Sequence, residues 1–436
     1  MTHARSSGSF SSSEDGTLSA LAQSSPALLA LAAFAGVAAV AAMATHRFVR
    51  ADYALLFGVM IAVGEMARVR LPGGREAAPL GAAVALAYAV VTEIGNVPAE
   101  HDTAQTIAVA GFGFLAGSLP HLAARRPSTL DYPIRRFLAV ALAAWLFRMC
   151  YLWMWLKPPW GNPVAADAKL QTAVTVLAMA GALGVSLLFD AMIGAAVQAG
   201  RHHRPFLAAL RDELRFTVTV GLAVDTTALL VGLACRTMSI WVLPALCLPL
   251  LFTQLSLRRY SRIKDVHLET IRALSRITEV AGLTEPGHAR RVARTSQRIG
   301  RELGLSESDL LDLEYACLMH DIGQLSLTDP LHGGRTATES LERQRELAHA
   351  GAEVIRRAGA LNRVADLVEN LAEPLRNGGP LGSKILRVAN AYDDLAGPVP
   401  EPARRTEALT VIRMGLAVHY DPAVVESLSR LVGDEQ

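Results

Sequence analysis

Long apolar stretches dominate the first 257 of the 436 residues in this chain. A helix needs roughly 20 mainly apolar residues to cross the hydrocarbon core of a membrane, which is about 30 Å thick. Because 51% of the residues are hydrophobic and 19% are charged, the chain is too apolar for an ordinary soluble protein. The pattern predicts a transmembrane helical bundle over residues 26–257. Its eight predicted spans are residues 26–44, 53–69, 78–94, 106–122, 137–156, 172–196, 216–233 and 239–257.

Basic residues cluster at the ends of the even-numbered segments. Loops rich in Lys and Arg stay on the cytoplasmic side, so the clusters predict a multi-pass protein of the cell membrane with both termini in the cytoplasm. The lipid bilayer is thus the first predicted partner. One loop contradicts this topology, because Arg47 and Arg50 follow the first segment. The clusters are Arg68, Arg70 and Arg75, then Arg125, Arg126, Arg135 and Arg136, then Arg201, Arg204 and Arg211, then Arg258, Arg259, Arg262 and Lys264.

Five ionisable residues lie inside or at the edges of the apolar segments. A charge in the membrane costs roughly 2.5 to 3.5 kcal/mol on insertion scales, so such residues usually face the interior of a bundle. Two interpretations stay open, a sensory pocket within the bundle or charges that satisfy one another in pairs. A transporter is disfavoured, because the sequence shows no internal repeat and no paired Gly- or Pro-broken helices. The five residues are Glu65, Glu93, Arg148, Asp190 and Asp225.

The sequence on either side of the apolar region has a different composition. Residues 1–25 are rich in Ser and Gly, which predicts a disordered N-terminal tail. The residues after 257 are richly charged with both signs, and the whole chain has a net charge of +2. This balance lacks the basic surface that binds a nucleic-acid polymer, so no such partner is predicted.

Residues 258–278 predict a helix that links the membrane region to the sequence that follows. Its apolar residues recur at helical intervals with charged residues between them. Two explanations of this stripe stay open. It can pair with a second copy of the chain in a homodimer, or it can pack onto the following domain. The stripe consists of Ile263, Val266, Ile271, Leu274 and Ile277.

The sequence after residue 278 predicts consecutive helices, without the alternation typical of strands. Ser306 is the predicted N-cap of a helix that begins at the next residue. Gly323 fits a helix stop, so His320 and Asp321 are expected at the C-terminal end of that helix. A histidine nitrogen beside an aspartate oxygen suits iron, manganese or zinc. The predicted fold class is all-α, a multi-pass transmembrane bundle followed by an all-helical cytoplasmic domain.

Four motifs follow one another in this region: GHARRVA at 287–293, HDIG at 320–323, HAGAEVI at 349–355 and KILRVANAYDDL at 384–395. Their order and spacing resemble the HD-GYP family, a branch of the HD superfamily of metal-dependent phosphohydrolases. The resemblance covers about residues 265–430. It implies an HD-type domain over 279–430 whose metals activate water for attack on a phosphodiester, typically of cyclic di-GMP.

The resemblance also implies roles for individual residues. His288, His320, Asp321 and His349 occupy the family's metal-ligand positions. Asp321 lies at the centre of the implied site and is the implied catalytic residue. The family commonly holds two or three ions of iron or manganese.

The chain departs from the family at three places. Residues 368–381 lack the paired histidines and the signature tyrosine. Asn390 stands where a metal-binding aspartate is expected, and Gln324 replaces a lysine suited to phosphate. The four remaining ligands suffice for one divalent ion, iron, manganese or zinc, rather than for two or three.

Two functional hypotheses follow from this comparison. In the first, the chain is a membrane-anchored signalling protein of cyclic di-GMP phosphodiesterase ancestry that has a reduced metal site, hydrolyses cyclic di-GMP weakly or not at all, and binds a nucleotide or a protein partner. In the second, it is an active phosphohydrolase that cleaves a cyclic dinucleotide or another phosphoester under control of the membrane region. The departures favour the first hypothesis, and the retained His-Asp pair keeps the second open.

Overall fold

The computed structural model describes most of the chain from residue 25 onward. The predicted disordered tail, residues 1–25, lies outside the described residues except for Ser25. The described ranges are 25–45, 48–70, 76–123, 130–155, 168–202, 205–238, 241–327, 331, 335–357, 361–373, 378–399, 401–416 and 418–433.

Within these ranges the chain folds almost entirely into helices, which confirms the all-α fold class. The α-helices are α1 Pro26–Thr45, α2 Ala51–Met66, α3 Pro79–Val90, α4 Thr103–Ala123, α5 Asp131–Trp155, α6 Ala168–His202, α7 Phe206–Phe216, α8 Leu222–Met238, α9 Val242–Val280, α10 His288–Glu302, α11 Glu307–Met319, α12 Leu341–Arg357, α13 Asn362–Glu369, α14 Leu381–Ala396, α15 Pro402–Met414 and α16 Pro422–Gly433. A π-helical turn, Thr217–Gly221, joins α7 to α8, and 3₁₀ turns lie at Ile322–Ser326 and Asn370–Ala372. The short strands are β1 Val69–Arg70, β2 Glu76–Ala77, β3 Glu93–Ile94 and β4 Val97–Pro98, paired as two antiparallel hairpins, β1 with β2 and β3 with β4.

The chain divides into two compact units. The first contains Met1–Val197 and Glu213–Ser261, and the second contains Gln198–Asp212 and Arg262–Gln436. Each unit has its own cluster of buried apolar side chains. The apolar region and the charged region of the sequence therefore form separate cores.

Four helices of the described chain are long and apolar enough to cross a membrane. They correspond to the first, fourth, sixth and seventh predicted spans, with α7, the π-turn and α8 taken as one helix. The prediction of eight spans is therefore supported for four segments. The four helices are Pro26–Thr45, Thr103–Ala123, Lys169–Arg201 and Phe206–Met238.

The third predicted span, residues 78–94, needs correction. The helix found there, α3, has 12 residues, which gives a length of about 18 Å and falls short of the hydrocarbon core. All of its residues are buried, and one hairpin lies on each side of it in sequence. A Cβ added at Gly64 would lie 2.3 Å from the Gly81 nitrogen, so the backbones of α2 and α3 are in close contact at these glycines. The segment is apolar because helices surround it.

Three of the five predicted ionisable residues, Glu65, Glu93 and Asp190, form ion pairs, which favours mutual satisfaction for these three. Asp225 differs, because its buried Oδ1 accepts no hydrogen bond within the described part of the chain. The Glu65 carboxylate is fully buried against Arg68, whose guanidinium also lies 2.9 Å from Glu76. Charges that leave water at this depth need such partners. The other pairs are Glu93 with Arg236 at 3.2 Å, and Asp190 with Arg135 at 2.9 Å and with Arg136 at 3.3 Å.

The second unit packs its helices around α10. This helix contacts both α11 and α14, and the 3₁₀ turn after α11 packs against α12. The predicted N-cap is confirmed, since the Ser306 hydroxyl accepts a hydrogen bond from the Asp309 amide at 3.2 Å and α11 begins at Glu307. The start of α10, at His288, and the end of α11, which His320 follows, lie at one point, so the two histidines meet there.

The predicted last span and the predicted linking helix form one continuous helix, α9. On its C-terminal half, Ile271 is buried in the core of the second unit. Ile263, Val266 and Ile277 are each about half exposed, at 55%, 59% and 47%. Of the predicted apolar stripe, one residue thus packs onto the domain and three remain exposed, whereas the Leu274 side chain lies outside the described ones.

Candidate metal site

Three helices of the second unit bring the site residues together. Gly287 has a positive φ of 78°, which turns the chain so that α10 begins at His288. Helix α11 ends at Met319, and His320 and Asp321 follow directly, as predicted. Helix α14 contributes Asn390, Asp393 and Asp394, which share one face because they lie three and four residues apart.

Three predicted ligands converge at this point and are all buried. His288, His320 and Asp321 each offer one atom, and these atoms lie within 4.8 Å of one another. The two Nε2 atoms are 3.4 Å apart. Asp321 Oδ2 lies 3.4 Å from His288 Nε2 and 3.2 Å from His320 Nε2. A fourth atom, Asn390 Oδ1, lies 3.1 Å from His320 Nε2.

Both histidines are oriented by hydrogen bonds on their outer nitrogens. His320 Nδ1 lies 2.8 Å from the Cys317 carbonyl oxygen, which only accepts, so Nδ1 carries the proton. His288 Nδ1 donates to Asp393 Oδ2 at 2.8 Å, and the Arg291 guanidinium holds both oxygens of Asp393 at 2.8 Å. Metal-binding histidines have this arrangement, because the outer hydrogen bond fixes the tautomer and turns the other nitrogen inward.

The four converging atoms, two Nε2 nitrogens and the Asp321 and Asn390 oxygens, fit a divalent metal by their chemistry and by their spacing. Once His288 is neutral, two imidazole nitrogens, a carboxylate oxygen and an amide oxygen present electron pairs to one another, and a cation among them stabilises such a set. Asp321 Oδ2 is buried and accepts no hydrogen bond from any described residue. Ligands about 2.1 Å from a metal lie roughly 3.0 Å apart in an octahedron and 3.4 Å apart in a tetrahedron. The observed spacings of 3.1–3.4 Å match this range.

The surrounding carboxylates change the protonation of the site. Burial alone lowers the pKa of His288, but the hydrogen bond to Asp393 and the charges of Asp321 and Asp394 together raise it to about 9. Burial raises the pKa of Asp394 to about 6, although the backbone amide of Ala337 donates to it. A metal must therefore displace a proton from His288, so we expect metal affinity to fall as the pH decreases.

The fourth predicted ligand does not join this cluster. The His349 side chain is 70% exposed, and its Nδ1 lies 3.0 Å from Glu369 Oε1. Glu369 also pairs with Arg356. The structure therefore brings together three of the four predicted ligands and places His349 on the surface of α12.

Sequence reasoning missed the groups that support the ligands. Asp393 and Asp394 lie inside the fourth family motif, at 384–395, but no spacing rule placed them against His288. Arg291 lies three residues after His288 on α10, and this helical spacing is the signal that could have linked the two. Thr336, which accepts from the Asn390 amide at 2.9 Å, lies in a loop and has no such signal.

A cavity of about 220 Å³ lies beside the site. His320, Asp321 and Asn390 form one end of it, so a molecule in the cavity can reach the metal-site atoms. Arg387 and Tyr420 also line the cavity and add a cation and an aromatic ring. The remaining lining residues are Thr336, Ala337, Glu339, Leu341, Gln344, Leu347, Ala348, Leu371, Ala372, Ala391 and His419.

Part of this chain is similar in sequence to known proteins. A cyclic di-GMP phosphodiesterase of Thermotoga maritima is 24% identical over 188 residues, which are 39% of this chain and 51% of that protein. A 3'3'-cGAMP-specific phosphodiesterase 3 of Vibrio cholerae is 25% identical over 183 residues, which are 38% of this chain and 40% of that protein. The chain thus spans about half the length, or less, of these curated relatives. Residues 272–424 match the family model of the HD domain, so the C-terminal part of the chain contains an HD domain similar to those of phosphodiesterases.

Proposed function

We propose that this chain is a membrane-anchored, metal-dependent phosphohydrolase of the HD-GYP type with a single-metal site. Its substrate class is a cyclic dinucleotide or a related phosphodiester, and it cleaves cyclic di-GMP more slowly than an enzyme with two or three metals. The observation that carries the proposal is Asp321 Oδ2, which is buried, accepts no hydrogen bond within the described part of the chain, and faces two inward-turned imidazole nitrogens.

Different residues would have different roles in this hydrolysis. His288, His320 and Asp321 would hold the ion. Hydrogen bonds to Asp393 and to the Cys317 carbonyl fix the orientation of the two imidazole rings. A bound divalent metal supplies a water of lowered pKa and positive charge for the phosphoryl oxygens. The adjoining cavity positions the phosphodiester beside these residues and limits the water that surrounds it.

The ligand set explains why slow turnover is proposed. Asn390 contributes a neutral oxygen where a carboxylate would add negative charge, and His349 lies away from the cluster. With one ion, the attacking and leaving oxygens cannot each contact a separate metal. The same neutral amide supports the second candidate function, a receptor that binds a nucleotide without cleaving it.

Metal removal tests the proposed function. The full chain is purified anaerobically in detergent, and its metal content and its hydrolysis of cyclic di-GMP and bis(p-nitrophenyl) phosphate are measured. We expect about one ion per chain, loss of hydrolysis on chelation, and recovery with Mn²⁺ or Fe²⁺. Hydrolysis that survives complete chelation would contradict the metal-dependent mechanism. A chain that binds metal and cyclic di-GMP but cleaves neither phosphodiester would be the non-catalytic receptor.

We also propose that the chain forms a parallel homodimer through the C-terminal half of α9. Positions 263, 266, 270, 273, 277 and 280 alternate in steps of three and four, as a and d positions of a coiled coil do, and all six are exposed. Ile271, on another side of the helix, is buried in the domain core. The membrane anchor of each copy would place the two α9 helices on the same side of the membrane and point them in the same direction.

Cysteine cross-linking in membranes tests this homodimer. In a Cys150→Ala background, Val266→Cys occupies a predicted contact position, whereas Arg272→Cys lies on an outer face of the same helix. We expect mild oxidation to cross-link most of the Val266→Cys chains and at least fivefold fewer of the Arg272→Cys chains, because a disulfide needs Cα atoms within about 7 Å. Equal cross-linking at the two positions, or none at either, would exclude the proposed register.

A further inference from the structure

Arg387 stands out among the residues that line the cavity. It lies on α14 three residues before Asn390, so the two side chains share one face of the helix. Cβ atoms at this spacing are about 5–6 Å apart. Arg387 therefore reaches the cavity roughly one helical turn from the metal-site residues.

The charge of Arg387 has no carboxylate partner in the described part of the chain. Its Nη1 donates to the backbone carbonyl of Glu373 at 2.7 Å. The Glu373 carboxylate instead lies 3.6 Å from Arg345. Burial and the nearby charge of Arg345 lower the pKa of Arg387, whereas the charges of Tyr420 and Glu373 raise it. The guanidinium stays cationic, and an anionic ligand would offset the cost of burying it. A guanidinium has five N–H donors, and most of these remain for a ligand.

The other cation in this part of α14 is already neutralised. Lys384 lies 3.1 Å from Asp421, in a smaller adjoining cavity. Arg387 in contrast lies beside an aromatic ring, with its guanidinium 6.0 Å from the centre of Tyr420. Arg is suited to planar, bidentate recognition of phosphate, which a lysine provides only as a point charge. Gln324, next to Asp321, provides no charge at all.

We propose that Arg387 binds a second phosphate group of the substrate while the first lies at the metal site. The inference rests on the proposed function and specifies its substrate class, a phosphodiester that carries two phosphates about one helical turn apart. A dinucleotide, cyclic or linear, has this chemistry, whereas a simple diester with one phosphate does not use Arg387. The residue thereby determines which phosphodiesters the site selects.

The test compares two substrates in the metal-loaded full chain. For Arg387→Gln, we expect KM for cyclic di-GMP to rise at least tenfold, and kcat/KM to fall at least tenfold more for cyclic di-GMP than for bis(p-nitrophenyl) phosphate. Arg387→Lys retains the charge and is expected to lie between the wild type and Arg387→Gln. Arg345→Gln is the matched control, since it removes a nearby cation that is paired with Glu373, and KM is expected to stay within twofold.

Equal losses for the two substrates, or the same KM increase in Arg345→Gln, would overturn the proposal. Metal content is measured in each variant, so that loss of the ion is not mistaken for loss of phosphate binding. If the wild type cleaves neither substrate, the proposed function fails, and equilibrium binding of cyclic di-GMP to the full chain replaces turnover. Arg387→Gln must then weaken that binding at least tenfold, and unchanged binding would overturn the inference.

Discussion

Replacing His320 by alanine is expected to lower the affinity for Mn²⁺ or Fe²⁺ at least 100-fold, whereas His349→Ala leaves it within twofold. His320 Nε2 lies 3.2 Å from Asp321 Oδ2 and 3.1 Å from Asn390 Oδ1. Its loss therefore removes the candidate ligand atom that lies beside both of these oxygens. Structural Zn²⁺ sites with four protein ligands bind with about 10–16 kcal/mol, so each ligand there corresponds to roughly 3 kcal/mol, or about 100-fold in affinity. Metal titration of the purified chain measures both affinities.

The comparison with His349→Ala separates two arrangements of the site. The resemblance to the HD-GYP family implies that both histidines are ligands, but the His349 side chain is 70% exposed and contacts Glu369. If His349→Ala loses metal as severely as His320→Ala, then His349 turns inward when metal binds and the site has four protein ligands besides Asn390. Circular dichroism of both variants controls for unfolding, because His320 also donates to the Cys317 carbonyl inside α11.

The local signals in the sequence predicted the helices of the second unit well. Ser306 followed by Asp309 is a capping signal that acts within one turn, and the helix begins where that signal predicts. The position of His320 and Asp321 at the end of the same helix follows from its length. These features depend on neighbouring residues, so they are readable without knowledge of the packing.

The predicted membrane spans show what apolar patterning leaves undetermined. Hydropathy counts apolar side chains but does not say whether they face lipid or another helix. Helix α3 has the composition of a span because all of its 12 residues pack against neighbours, and its length shows that it is a buried segment. An apolar run has the same sequence in either environment, so the count of eight could not be checked from the pattern alone.

The site shows the same division between local and long-range information. The family motifs identified His288, His320 and Asp321, and the fold brings them together. The 2.8 Å hydrogen bond from His288 to Asp393 joins residues 105 positions apart, and no periodicity in the sequence predicts it. The exposed orientation of His349 likewise depends on how α12 turns relative to its neighbours. Motifs therefore predicted the candidate ligands, whereas the contacts that support these residues required the structure.

Gly323→Ala is expected to unfold or severely destabilise the second unit. The sequence predicted a helix stop at this glycine, but its backbone is not in the left-handed region, so conformational freedom is not the reason for glycine here. A Cβ at residue 323 would lie 2.1 Å from the Leu347 carbonyl oxygen and 2.9 Å from the Gly351 nitrogen. Both are backbone atoms of α12, so no side-chain rotation relieves the overlap.

The overlap at Gly323 is expected to cost more than about 3 kcal/mol, the upper end of ordinary overpacking, because the turn and the helix must separate. Asp321 lies two residues earlier, so its carboxylate would move from the histidines and metal affinity would fall with stability. Gly351→Ala is the matched control from the other side of the contact, where the nearest atoms are 3.3–3.6 Å from the added carbon and a gain in helix propensity offsets part of the strain. Hydrogen exchange of residues 288–396 in the full chain measures both effects. Protection in Gly323→Ala equal to that of the wild type would show that the turn and α12 are not in backbone contact.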